Sequence, residues 1–294
     1  MFSFLGHALR RRREILQMSR DVNDVTGKKT VFNVVGFVTV ASAVTASMEG
    51  LVGAGVREDA LREFLERSKL LGFLDESIEA LPPEADLQAA NAILSSRLGD
   101  YKARYGNRAR EAIDEIVESM HWEARRRGGL VGAYTFEHYL DRVTTSNGAA
   151  FLLQGCAQVV HATDDVPQYK GLFADIDRAL RLTTDMAKVW KDLDSRENVL
   201  LQYMDLSPST VSLEEAVQTM KRRYQRVASG IVARLASCSS DPECSPPVLA
   251  CAESFWKNAV FCLELPGKVF HLFRVRNVVS GMWSGTRAWL KPRI

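Results

Sequence analysis

Apolar positions recur along most of this chain at intervals of three and four residues, the spacing that puts side chains on one face of an α-helix. Leu61, Phe64, Leu65, Leu70 and Leu74 repeat this way over 57–74, and the pattern runs on through FLDESIEAL until Pro82-Pro83 stops it. The spacing predicts further helices over 86–105 (Leu87, Ala90, Ile93, Leu94, Leu98) and 108–127 (Ile113, Ile116, Val117, Met120), the latter broken by Gly128-Gly129. Residues 136–148 follow, with Thr135 placed to cap them, then a small apolar stretch over 149–162 and the turn TDDVPQ. A long helix is predicted over 172–194, with Leu182, Met186, Val189 and Leu193 as one narrow apolar stripe. Ser212 and Glu215 form a capping box before a helix to about 235, and 237–247 reads as a loop. Two final helices, 248–263 and 269–283, are separated by Pro266-Gly267. Near the start, 8–20 reads as a short basic helix and 31–52 as a buried one interrupted at Gly53 and Gly55. No stretch sustains the alternation of a strand. The prediction is an all-α chain of around ten helices in a single domain over 1–294, with the N-terminal helices of 8–52 packed on a core of about 57–290.

Composition narrows the class. With 294 residues, 46% of them hydrophobic and 25% charged, the chain has ample material for a core. A net charge of +2 gives no global drive toward nucleic acid, and the runs Arg10–Arg13, Arg125–Arg127 and Lys221–Arg223 lack interleaved aromatics. In MFSFLGHALRRRR the basic run follows the apolar residues, the reverse of a secretory signal. Val31–Met48 carries no charge, but it is short and rich in Ala, Thr and Ser, so a buried helix is favoured over a membrane span. The cysteines show no CxxC pair, which speaks against a zinc site. They read as scattered thiols of a reducing cytoplasm, with a Cys238–Cys244 bridge as the alternative.

The chemistry concentrates in RLTTDMAKVWKDLDSREN, residues 181–198. On a helix Arg181, Asp185, Lys188 and Asp192 form a second stripe beside the apolar one, with Asp185 and Asp192 two turns apart. Two acids and two cations there would suit a magnesium diphosphate cluster, with hard oxygens for the metal and cations for the phosphates. The competing reading is a surface helix laced with i,i+3 and i,i+4 ion pairs. Asp75, Glu76 and Glu79 close a helix where like charges repel and the dipole opposes them, a cost that a bound cation would remove. The competing reading is a solvated acidic helix end. Arg142, with Thr145 and Ser146, stands by a break rich in hydroxyls and glycine that could sense a diphosphate, or is a surface arginine near a turn. Tyr134, Tyr139, Phe151, Trp190 and Trp283 are aromatic candidates for a cavity lining or simply for core.

Taken together, these residues resemble the class I terpene synthase family over roughly 60–290. Its aspartate-rich motif is similar to DESIE, with Asp75, Glu76 and Glu79. Its linking signature, whose arginine senses diphosphate, is similar to HYLDRVTTSNG, with Arg142. Its second motif is similar to TDMAKVWKD, placing Thr184, Lys188 and Asp192 at the ligand positions and Asp185 beside the first. Arg181 and Lys191 resemble basic residues that flank that motif, Asn198 an asparagine beyond it, and GMWSGTRAW the family's tryptophan-plus-arginine end, with Trp283 and Arg287. The sequence departs from the pattern at Thr184, where asparagine is usual, and at Ala288, where tyrosine is usual. It departs again at Lys188, which cannot ligate magnesium while charged but could touch the diphosphate directly. The interval from Asp75 to Arg142 is also shorter than usual.

The resemblance implies an all-α bundle of the isoprenoid synthase type and a carbon–oxygen lyase acting on a farnesyl, geranylgeranyl or bicyclic diterpenyl diphosphate. Its expected cofactor is Mg2+, as a cluster of up to three ions at Asp75, Glu76, Glu79, Thr184, Asp185 and Asp192, with Lys188 at a ligand position. Arg142, Arg181, Lys188, Lys191 and Arg287 would hold the diphosphate, and Phe151 and Trp283 would line the pocket. Asp75, Arg142 and Asp192 would be the catalytic groups. The expected partner is that small molecule, with no nucleic acid and no stable membrane span, and with a homodimer left open. Two alternatives stand beside this: a prenyl-chain condensing enzyme on a similar bundle, and a non-catalytic helical protein that associates with membranes through Val31–Met48.

Overall fold

The computed structural model describes Arg13 and residues 40–79, 81–98, 106–189, 192–194 and 196–275. Nine α-helices and one 3-10 turn make up the described architecture, and no strand occurs among the described residues. In chain order they are α1 (Ala54–Glu79), α2 (Leu87–Leu98), α3 (Asn107–Arg127), α4 (Phe136–Thr145), α5 (Ala149–His161), the 3-10 turn Pro167–Tyr169, α6 (Lys170–Lys188), α7 (Val199–Leu206), α8 (Leu213–Ser239) and α9 (Pro246–Val275). A helical segment at 40–46 precedes them.

Local signals account for several boundaries. Thr135 Oγ1 accepts the His138 amide at the start of α4, as its position predicts. Ser212 and Glu215 form the full capping box ahead of α8. Gly128 ends α3 and has no room for a side chain, because a Cβ there would meet Pro83 at 2.3 Å. The two strongest breakers in the sequence are thus packed on one another.

The helices bury two apolar clusters. The larger draws on the 40–48 segment, α1, α3, α5, α8 and α9, with Phe64, Leu74, Ile113, Phe151 and Val248 among its members. The smaller joins α4, α6, α7 and α8 through Tyr139, Leu182, Val199, Leu201 and Met220. Helix α6 belongs to both. Leu172, Phe173, Ile176 and Leu180 of its first half enter the larger cluster, and Leu182, with Val189 just past its end, enters the smaller. It packs against α4, α5, α7, α8 and α9.

Several boundaries differ from the sequence expectation. Helix α6 stops at Lys188 instead of continuing to 194. Helix α7 was not expected at all. It is eight residues long, too short for a periodic stripe to stand out. The 237–247 loop is shorter than predicted, because α8 runs to Ser239 and Pro246 opens α9. The two final helices are one in the described span, α9 running through Pro266-Gly267 to Val275. Of the apolar segment 31–52, residues 31–39 lie outside the described residues. Val40, Ala41, Val44 and Met48 are core, and Ser254 of α9 donates to the Ala43 carbonyl at 3.2 Å. No described helix is long and apolar enough to cross a membrane. Cys156, Cys238, Cys244 and Cys251 are free thiols, so no Cys238–Cys244 bridge is present.

Candidate functional site

The second half of α6 carries the charged cluster. Arg181 Nε donates to Asp185 Oδ2 at 3.1 Å, and its Nη2 lies 3.8 Å from Glu123 Oε2 on α3. The side chains of Arg181 and Asp185 are 15% and 5% exposed, so this i,i+4 pair is interior and not a solvated surface bridge. Burial pushes the Arg181 pKa down, but Asp185 and Glu123 outweigh it and hold the guanidinium firmly charged. Tyr139 lies fully buried beside them, its phenol pushed well up by burial. Asp185 also accepts the Val199 amide at 2.8 Å, satisfying a first-turn donor of α7 that has no partner within its helix.

Asp192 reaches this cluster by a route that periodicity does not foresee. Because α6 ends at Lys188, Asp185 and Asp192 do not sit two turns apart on one helix. The chain turns instead: the Asp192 amide donates to the Val189 carbonyl at 3.3 Å and the Arg196 amide to the Asp192 carbonyl at 2.8 Å. Arg196 takes the left-handed conformation, with φ +59°. The fully buried Asn198 then ties the turn down. Its Nδ2 donates to the Asp185 carbonyl at 2.8 Å and to Asp192 Oδ2 at 2.9 Å, while its Oδ1 accepts the Leu200 amide at 3.0 Å as the cap of α7. One amide side chain therefore starts α7 and holds the Asp192 carboxylate against the end of α6.

The α4–α5 break joins the same network. The Arg142 carbonyl accepts from Ser119 Oγ of α3, and the Arg142 residue is partly buried. Ser146 Oγ donates to Glu123 Oε1 at 2.5 Å, so Ser146, Glu123, Arg181, Asp185 and Val199 form one continuous chain of polar contacts. Gly148 turns the chain with φ +72°.

The other predicted residues are dispersed. Asp75 is exposed near the end of α1, and Thr184 is partly buried on α6. Glu76, Glu79 and Lys188 lie on α1 and α6, with their side chains outside the described residues. Trp190, Lys191, Trp283 and Arg287 lie outside the described residues altogether. Phe151 is 1% exposed in the α1–α5 seam, with the Arg67 guanidinium carbon 4.4 Å from its ring centroid. Among the described residues no group of three or more His, Cys, Asp and Glu is placed to hold a metal ion.

Sequence reasoning missed Glu123, Ser119 and Asp177. Glu123 lies in a helix with many other acids, and nothing local marks it as the partner of Arg181, 58 positions away by the numbering. Asn198 carried a usable signal, an N-cap residue directly before the apolar run VLL.

No protein-family model matches the chain, and no curated protein matches it.

Proposed function

We propose that this protein ionises a prenyl diphosphate and resolves the resulting carbocation by cyclisation or elimination, as class I terpene synthases do, releasing diphosphate. The observation that carries the reading is the Asn198 clamp: the loop after α6 is folded back so that Asp192 is held beside the helix bearing Arg181, Thr184 and Lys188. The helical architecture and the hydroxyl-rich break after Arg142, tied to Arg181 through Glu123, support it further.

On this reading magnesium would be bound only together with its substrate, because among the described residues no three acids are gathered to hold it. Magnesium is commonly held by one or two carboxylates plus substrate phosphate oxygens, and a preformed cage of several acids is not required. Asp192 and Thr184 offer hard oxygens at the end of α6 and Asp75 offers one on α1. Asp185 is more committed, taking both Arg181 and the Val199 amide on the same oxygen. When bound, the metal would neutralise and polarise the diphosphate. Arg142, Arg181 and Lys188 would steady the charge that grows as the C–O bond breaks and its electron pair leaves with the diphosphate. The cation then loses a proton or is captured internally, in apolar surroundings that exclude water. The substrate is a farnesyl, geranylgeranyl or bicyclic diterpenyl diphosphate.

The test is a pair of variants. Asp75→Asn and Asp192→Asn should each lower magnesium-dependent turnover at least about a hundredfold, a loss of roughly 3 kcal/mol of transition-state stabilisation, with the far-ultraviolet circular dichroism unchanged. Full activity in both variants would sink the assignment. A dependence on added isopentenyl diphosphate would instead identify a chain-condensing enzyme.

A further inference from the structure

Asp177, on the first half of α6, stands apart from the network above. It is 5% exposed, and among the described residues no cation pairs with it. Its Oδ1 accepts the Ala149 amide at 2.6 Å and the Asn147 side-chain amide at 3.5 Å, and its Oδ2 accepts the Ala150 amide at 3.0 Å. Ala149 and Ala150 open α5, where amides have no carbonyl one turn back to bond to. The first bond of that ladder is Leu152 N–H to the Gly148 carbonyl, at 3.2 Å. A side chain from another helix thus takes the place of the missing N-cap, since Gly148 has none to offer.

Several charged groups on the surrounding elements are engaged elsewhere. Arg178 pairs with Asp141 of α4, Arg234 of α8 with Asp175, and Arg181 with Asp185 and with Glu123 of α3. On α9 Lys257 pairs with Glu253, on α7 Asp205 pairs with Arg196, and His161 at the far end of α5 meets Tyr169 Oη. Arg142 of α4 also lies near the break, and Asp177 receives hydrogen bonds from Ala149, Ala150 and Asn147 and not from it.

Two demands on this carboxyl conflict. Burial without a cation favours the neutral acid. One amide on each oxygen favours the carboxylate, because a neutral carboxyl offers one bare carbonyl oxygen and makes the other a donor. We propose that Asp177 is a proton-operated latch on the α4–α5 break: as a carboxylate it holds both opening amides of α5, and on protonation it releases one of them. The balance falls near neutrality, burial pushing the pKa up to about 7 against the three hydrogen bonds that lower it. This latch does not depend on the catalytic reading, although it lies at the break that follows Arg142.

Residue-resolved amide exchange by NMR on the full chain tests it, with rates at pH 8 and pH 6 corrected for intrinsic exchange. Protection at Ala149 or Ala150 should fall about tenfold between those pH values, following the fraction of carboxylate lost one unit below the midpoint. Amides within α8 should lose no protection. In Asp177→Asn, which keeps a single acceptor oxygen, protection at one of the two alanines should be low and alike at the two pH values. Unchanged wild-type protection, or a variant that keeps the wild-type pH dependence, would overturn the proposal. Should the variant not fold, carbon NMR titration of the wild-type Asp177 carboxyl decides alone. A midpoint near neutrality that coincides with the loss of protection supports the latch, and a midpoint below about pH 5 contradicts it.

Discussion

Single buried polar side chains carry much of the specificity of this interior. Arg67 is 2% exposed and donates to Glu63 Oε1 at 2.6 Å, to the Phe151 carbonyl at 2.8 Å and to Gln158 Oε1, with its guanidinium over the Phe151 ring. Gly155 leaves the room, since a Cβ there would meet Arg67 Nε at 2.6 Å. Arg67→Ala removes the donor from all three acceptors and should cost about 3 kcal/mol in urea unfolding, because the buried guanidinium makes three bonds at once and holds α1 to α5 through two of them. Asp177 gives a pH signature of opposite kind. Its folded pKa lies above the unfolded 3.8, so between about pH 4 and 7 the folded state binds the extra proton. Stability from this group is therefore present at the low end and is lost as pH rises through 7, by roughly 1.4 kcal/mol per unit across that window. Denaturant melts of Asp177→Asn should lack that slope. On acidification, global stability rising while Ala149 or Ala150 loses protection is a combination that a merely space-filling Asp177 would not produce.

At the scale of the element, the helices with long periodic stripes were legible in the sequence, and the ends of α6 and α7 were not. The stripe Leu182, Met186, Val189 and Leu193 continues the helical spacing past Lys188, and only the tertiary bonds of Asn198 show where the chain turns. Asn198→Ala should cost about 2 kcal/mol, from the lost cap and the lost bond to the Asp185 carbonyl, and should also abolish turnover by removing the Asn198 bond to Asp192. Ser212→Ala is the matched control. It loses a cap at the far end of the α7–α8 link, should cost about 1 kcal/mol, and should leave turnover intact. Equal loss of activity in both would mean that Asn198 acts through stability alone. Pro266-Gly267 misled in the other direction, because breaker residues read as a boundary while the described α9 runs past them.

For the whole molecule, α6 and α8 both contribute to the two apolar clusters, and the α6 polar residues Asp177, Arg181 and Asp185 each fasten a different neighbour: α5, α3 and α7. The helical class was readable from spacing because it depends on local periodicity. The candidate site was readable only in part. Arg181 with Asp185 is a local pair that spacing finds, whereas Glu123 and the Asp192 placement depend on contacts between helices. The central claim is that this arrangement serves to expel diphosphate from a prenyl substrate. The most direct measurement is diphosphate release by the folded wild-type protein, with farnesyl, geranylgeranyl and bicyclic diterpenyl diphosphates supplied in turn, with and without magnesium, and the organic products read by mass spectrometry. The account predicts magnesium-dependent release of diphosphate together with a terpene from at least one of these substrates. No release from any of them, by protein whose circular dichroism shows the full helical content, would contradict it.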